Sequence, residues 1–316
     1  MLWSPPPLAR LRIRAGEELL RRVAGPSAHH KRARIHGAPG PRWFEPHSPI
    51  RLVHADAAMY VGGLAALLLQ SLHPEAMAAV WAHSGFRGDP WGRLQRTSTF
   101  LAVTTFGTDR DAARAVLRVR SVHDRISGVT SEGVPYRASD PHLLAWVHIA
   151  EAECFLRAYQ RYGRQPLDRG GQDAYVRDMA LVAGRLGAEE PPETRAELSA
   201  RLAGYRGECR STPESRETTA YLLSHPPLPG AVRIPYAFLA AAAVDLLPRW
   251  ARAQLPLPRT SRLLLPLAVP GGRAVIAAIR WATPPLPLPV EAARIFAGAV
   301  LFAAAVVPVV AGASVV

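Results

Sequence analysis

The sequence predicts an all-α fold, one multi-helix domain ending in an apolar helical C-terminal tail. Three observations lead there. Apolar residues recur at three- and four-residue steps in almost every periodic segment, and no alternating strand pattern repeats. Capping residues or proline open the segments, and glycine closes many of them.

Taken in order, residues 9–24 read as a basic amphipathic helix stopped by Gly25-Pro26, with a Pro- and Gly-rich loop later, from Gly37 to Pro49. Asp56 is placed to cap an apolar run from Ala57 to Leu72. At about sixteen residues that run is short for a bilayer and suits a buried core helix. Pro74 opens the next helix, closed near Gly85, and a helix from about Trp91 to Phe106 ends at Gly107. Thr108 caps a helix from Asp109 to about Ser127, with Gly128 as its stop. Asp140-Pro141 opens a helix to Gly163; further helices fit 172–186, 192–206 and 213–224. Beyond Pro226, short apolar helices alternate with Pro-Leu turns such as Thr283-Pro284-Pro285-Leu286-Pro287. The chain thus divides into a basic helix and loop (1–45), an all-α domain (46–260) and an apolar Pro/Leu/Ala-rich C-terminal region (261–316).

Composition narrows the function. With 316 residues, 49% of them hydrophobic, the chain can bury a core and is not disordered. The formal charge is +13, but Lys31 is the sole lysine and the arginines are scattered outside the stretch from Arg10 to Arg34. Dense mixed basic runs of the nucleic-acid-binding kind are missing, so no nucleic-acid partner is expected. Two cysteines, Cys154 and Cys209, make neither a disulfide framework nor a thiolate metal site. The opening residues Met1 to Pro7 lack the apolar stretch of a secretory signal, which points to the cytoplasm. Residues Ile295 to Val316 carry no charge and are long enough to span a bilayer; a packed terminal helix and a membrane-dipping tail both fit.

Three groups of residues can carry chemistry. Ala112, Val116, Val119, His123 and Ile126 share one helix face, while Arg114, Arg118 and Arg125 point elsewhere. His123 is therefore an inward imidazole among small aliphatic residues; it suits an axial haem ligand, and equally a core histidine bonded to a backbone carbonyl. Arg93, Arg96 and Thr97 stand at i, i+3 and i+4, with Phe100 continuing the stripe. Paired guanidiniums bind carboxylates through forked bonds, or polarise a bound oxygen; a solvated helix face has the same spacing. Leu144, His148, Glu151, Phe155 and Tyr162 line one side of another helix, where His148 and Glu151 read as a carboxylate-held histidine or half of a metal site. His73, Glu75 and His83 are weaker candidates. No Walker loop, Rossmann glycine pattern, Gly-x-Ser-x-Gly or Cys-x-x-Cys occurs, which removes the common kinases, nicotinamide enzymes and hydrolases.

The order of the short motifs is more specific than any of them alone. Gln70-x-x-His73-Pro74, His83-Ser84-x-Phe86, Asp89-Pro90, Arg93-x-x-Arg96-Thr97, Phe106-Gly107, Val119-Arg120-x-x-His123, Tyr136-x-Ala138-x-Asp140-Pro141 and Trp146-Val147-His148 follow in that sequence. This order resembles the MpaB oxygenase and rubber oxygenase (latex clearing protein) family over about residues 50–165, and the later run Val244 to Trp250 resembles that family's C-terminal Leu-Pro helix start. The resemblance implies an all-α protein with a globin-like core and one b-type haem, cleaving carbon–carbon double bonds of prenyl chains with dioxygen. It implies His123 as the metal ligand, Arg93, Arg96 and Thr97 as catalytic residues on the distal side, and His123, Arg93, Arg96 and His148 as the residues that bind haem b. Rubber oxygenases carry a lysine at the position of Arg96; a guanidinium has no lone pair to offer iron.

The sequence reading is therefore a haem b-dependent oxygenase for a small hydrophobic, prenyl or alkene substrate, with membrane association through the C-terminal tail. Two other readings stay open: a non-catalytic membrane-associated helical protein, and a non-haem di-iron enzyme centred on His148 and Glu151.

Overall fold

The computed structural model describes residues 7–84, 88–224, 226 and 230–283. The expected tail, 295–316, lies outside these residues, as do Gly85, Phe86 and most of the Thr283–Pro287 turn. Among the described residues the protein is all-α apart from one small hairpin.

The N-terminal third follows its capping signals. Helix α1 (Pro7–Ala24) stops at Gly25-Pro26, and α2 (Ala28–Gly37), not foreseen in the sequence, fills the space before the Pro/Gly loop. The short α3 (Pro49–His54) precedes α4 (Met59–Gln70). Asp56 is not the N-cap of α4: Ala58 holds that position without a side-chain cap, and the Asp56 carboxylate accepts the Ala58 N–H at 2.8 Å in the turn before the helix. Helix α5 (Pro74–His83) begins on Pro74, and α6 (Pro90–Phe106) is capped by Asp89, which accepts the Gly92 N–H at 2.7 Å. Leu20, Val23, Ala24, Ala28, Ile35, Ala102 and Phe106 form a small apolar cluster joining α1, α2 and α6.

One expected boundary is wrong. Helix α7 (Asp109–His123) ends at His123 rather than near Ser127, and Ser127–Val129 and Pro135–Arg137 form strands β1 and β2 of an antiparallel hairpin. The Arg125 and Ile126 N–H groups turn back to Val122 and His123 carbonyls, and the Ala138 N–H donates to Ile126 O, so the helix is capped by the hairpin itself. Gly128 is thus a strand residue. The Tyr136 side chain lies against it, and a Cβ there would sit 2.5 Å from the Tyr136 hydroxyl. Strands of three residues are too short to show a period of two, which is why the pattern is silent here.

The core is built on α8 (Pro141–Tyr162), opened by Asp140 and closed at Gly163 as the sequence indicates. It lies along α4, and Gly62 permits the close approach: a Cβ there would meet Ala158 Cβ at 3.1 Å and Phe155 Cα at 3.2 Å. Trp146, Ile149, Leu156, Leu64, Leu68 and Leu69 are fully buried between the two. Each such side chain is worth about 1.5–3 kcal/mol of transfer free energy. Glu153 is buried among them, held by Arg157 Nε at 2.5 Å and Arg195 Nη1 at 2.7 Å, which supplies the counter-charge a buried carboxylate needs. Helices α9 (Arg169–Leu186), α10 (Arg195–Gly204) and α11 (Pro213–Ser224) follow their predicted ranges within three residues.

Beyond 226 the chain differs from expectation. Instead of only short helices, α12 (Gly230–Leu246) runs for 17 residues through Pro235. Proline in a helix interior costs about 3 kcal/mol. Buried Leu239, Ala240, Ala241, Ala242, Ala243 and Val244, packed against α4 and α15 (Ala268–Ala282), offset it. Between them lie α13 (Arg249–Gln254) and α14 (Arg259–Leu264). The stretch Arg259–Ala282 is, among the described residues, long and apolar enough to cross a membrane by length and composition.

Candidate functional site

Helix α6 presents Arg93, Arg96 and Thr97 on one side, as their spacing requires, but burial separates them. Arg93 is half-buried; desolvation, and then the charge of Arg96, pull its pKa down to about 10. It is still a cation at neutral pH, a donor with no lone pair. Arg96 is exposed and turns toward the end of α5, with Nη2 3.4 Å from Ser84 O and Nη1 3.6 Å from Asp89 Oδ2. Thr97 is exposed too, and its hydroxyl donates to Arg93 O at 3.2 Å.

His123 closes α7, half-buried, behind the fully enclosed Ala112 and the nearly enclosed Val116. Its Nδ1 is sealed from solvent with no hydrogen-bond partner. Burial lowers its pKa, only partly opposed by Asp124, so the ring is neutral. On α8, His148 is buried, its Nε2 is likewise enclosed and unpartnered, and burial pushes its pKa down to about 4. Two neutral imidazoles, each with one enclosed free nitrogen, are ring nitrogens able to serve an iron-containing group. Among the described residues, no hydrogen bond or ion pair joins Arg93, Arg96 or Thr97 to either histidine.

Glu151 lies one turn beyond His148. Its carboxyl sits deep among protein atoms, and burial pushes its pKa up to about 7. Among the described residues, His148 and Glu151 gather no third metal-ligating side chain. Glu75 serves neither arginine; its Oε2 lies 2.9 Å from His73 Nδ1.

Sequence reasoning missed two histidine constellations. His54 on α3 is fully desolvated, with Nδ1 2.9 Å from Thr105 Oγ1 and Nε2 3.5 Å from the Tyr175 hydroxyl. His73, only a weak candidate by sequence, shares the carboxylate of Glu208 with His142, which was not singled out at all. These residues are 66 to 135 positions apart in the chain, so no spacing rule could pair them.

The fold and site together define an all-α protein whose neutral histidines, one buried and one half-buried, and half-buried arginine lie on α6, α7 and α8. Residues 51–281 match the family described as "ER-bound oxygenase mpaB/B'/Rubber oxygenase, catalytic domain", and the chain belongs to this oxygenase family. Two mycobacterial relatives share 35% identity over 108 residues, 33% of this chain: the uncharacterized protein Rv2237 of Mycobacterium tuberculosis and the uncharacterized protein Mb2261 of Mycobacterium bovis. The match spans 42% of the length of each. A solved structure of latex clearing protein LCP in the closed state is similar at 18% identity with a TM-score of 0.47, over 90% of this chain and 82% of that one.

Proposed function

We propose that this protein is a haem b-dependent oxygenase acting with dioxygen on a small hydrophobic alkene, prenyl chains included. The observation that carries the reading is the enclosed, unpartnered Nδ1 of a neutral His123 in a chain of this family. A buried imidazole nitrogen normally finds a partner, so an unpartnered Nδ1 means that this nitrogen holds the His123 ring to no core acceptor. The orphaned Nε2 of His148 adds a second such group.

In this reading His123 holds the iron, while His148, Arg93 and Arg96 border the porphyrin. The haem, when bound, supplies the redox chemistry of dioxygen. The chain supplies the rest. Arg93, a cation kept among protein atoms, is a preorganised donor toward negative charge developing beside it, where a low dielectric makes its field strong. Arg96, at the exposed end of the same stripe, adds a second positive charge on the solvent side. Thr97 uses its proton on Arg93 O and offers its oxygen as an acceptor. Glu151 is half-protonated near neutral pH and is therefore suited to give and take a proton in the interior.

The protein works in the cytoplasm at a membrane surface, which brings it to an apolar substrate. Support comes from the Arg259–Ala282 stretch, where Leu263, Leu267 and Trp281 stand exposed. An iron and porphyrin assay on the purified protein tests the function: one haem per chain supports it. Iron without porphyrin favours a non-haem enzyme, and neither one in folded, reconstituted protein contradicts it.

A further inference from the structure

His73, His142 and Glu208 come from three separate parts of the chain. His73 caps the start of α5, where Pro74 fixes the helix entry; His142 lies in the first turn of α8, its N–H bound to the Asp140 cap at 2.8 Å. Glu208 follows the 3-10 turn Tyr205–Gly207, in a segment fixed to the end of α4 by the Arg210 N–H donating to Leu72 O at 2.8 Å. Their ligand atoms converge. Glu208 Oε2 lies 2.8 Å from His142 Nε2 and 3.3 Å from His73 Nε2, and all three atoms fall within 4.8 Å of one another. Ligands around a divalent ion at about 2.1 Å stand about 3.0–3.4 Å apart, so only a small contraction or rotation separates this arrangement from coordination.

The surroundings carry the argument further than the three residues do. Each imidazole directs Nε2 at the shared carboxylate; His142 Nδ1 is hydrogen-bonded to Glu189 Oε1 at 2.8 Å, while Glu75 Oε2 stands 2.9 Å from His73 Nδ1 as an ion-pair neighbour without hydrogen-bond geometry. A carboxylate at the far nitrogen is what orients a metal-bound histidine and raises its basicity. The rings are also held by packing. Tyr205 lies 4.6 Å from the His142 ring and donates its hydroxyl to His142 O at 2.9 Å, and Trp146 lies 5.7 Å from the His73 ring. Finally, His73 is buried but His142 and Glu208 are close to half exposed, which leaves an entry path and room for water ligands.

We propose that His73, His142 and Glu208 form a divalent transition-metal site of the zinc class, with Glu189 orienting the His142 imidazole, Glu75 beside that of His73, and water completing the shell. Two imidazoles and one carboxylate suit Zn²⁺ and disfavour Mg²⁺ or Ca²⁺, which take oxygen ligands. The site clamps the starts of α5 and α8 to the segment after α10. It shares no residue with the haem site proposed above.

The test uses the full chain, stripped with EDTA and dialysed into a buffer that does not chelate metals. Calorimetric titration with Zn²⁺ should show one equivalent bound at micromolar or tighter Kd, with a rise in Tm. His142→Ala and Glu208→Gln, both at partly exposed positions, should each weaken binding at least about tenfold, and Glu189→Gln by about tenfold through the lost orientation. His83→Ala should bind as wild type. Failure of the folded wild-type chain to bind Zn²⁺ stoichiometrically would overturn the proposal. So would binding that His142→Ala and Glu208→Gln leave unchanged, since the metal would then sit elsewhere. Neither outcome depends on whether the protein carries haem.

Discussion

Arg280 Nη2 stands 2.5 Å from Asp56 Oδ1, an ion pair joining residues 224 positions apart. The same nitrogen donates to Tyr162 O at 2.6 Å, so one guanidinium ties α15 to the start of α4 and the end of α8. Asp56 is buried, and removing its partner leaves a desolvated carboxylate with only the Ala58 N–H. Arg280→Met should therefore cost about 3 kcal/mol in urea denaturation. Adding Asp56→Asn should cost less than the sum of the two single changes, because the second removes the stranded charge.

Acid should weaken the fold through His54. Burial holds its pKa down at about 3, whereas the unfolded residue titrates near its ordinary value of 6.5. Between those values the unfolded chain binds one more proton than the native chain. Stability is thus fully present above the unfolded value and falls as pH drops below it. The slope from this one residue is about 1.4 kcal/mol per pH unit. Stability measured by denaturant from about pH 5.5 to 4.5 should show it, and His54→Asn should flatten the profile by about that slope.

Glu151 should be visible as a carboxylic acid at a pH where ordinary glutamates are ionised. Desolvation disfavours its charged form and raises its pKa to about 7. Infrared difference spectra between acidic and alkaline samples should contain a protonated-carboxyl band that bleaches across neutrality. Glu151→Gln should lack that band; its persistence would assign it to another residue.

Much of the fold was legible because local signals agree with tertiary packing. Pro74, Thr108, Asp140 and Gly163 each mark the boundary that the structure shows, since caps act over one helical turn. The hairpin after His123 was not legible, because strands of three residues carry too little pattern. Helix α12 hid behind Pro235, where burial outweighs the local penalty. At the site, spacing placed Arg93 and Arg96 on one side of α6 and expected His123 inward, but it could not show that Arg93 and His123 are half-buried while Arg96 is exposed. Nor could it assemble His73, His142 and Glu208, whose proximity is made by packing between elements far apart in the chain.

The central claim is that His123 holds a haem iron. The direct measurement is an absorption spectrum of the purified chain after haem reconstitution, beside His123→Ala prepared in the same way and checked for helix content. The account predicts a Soret band at one haem per chain in the wild type, lost or strongly displaced in His123→Ala. A folded wild-type protein that takes up no haem, or a His123→Ala spectrum identical to wild type, would contradict it.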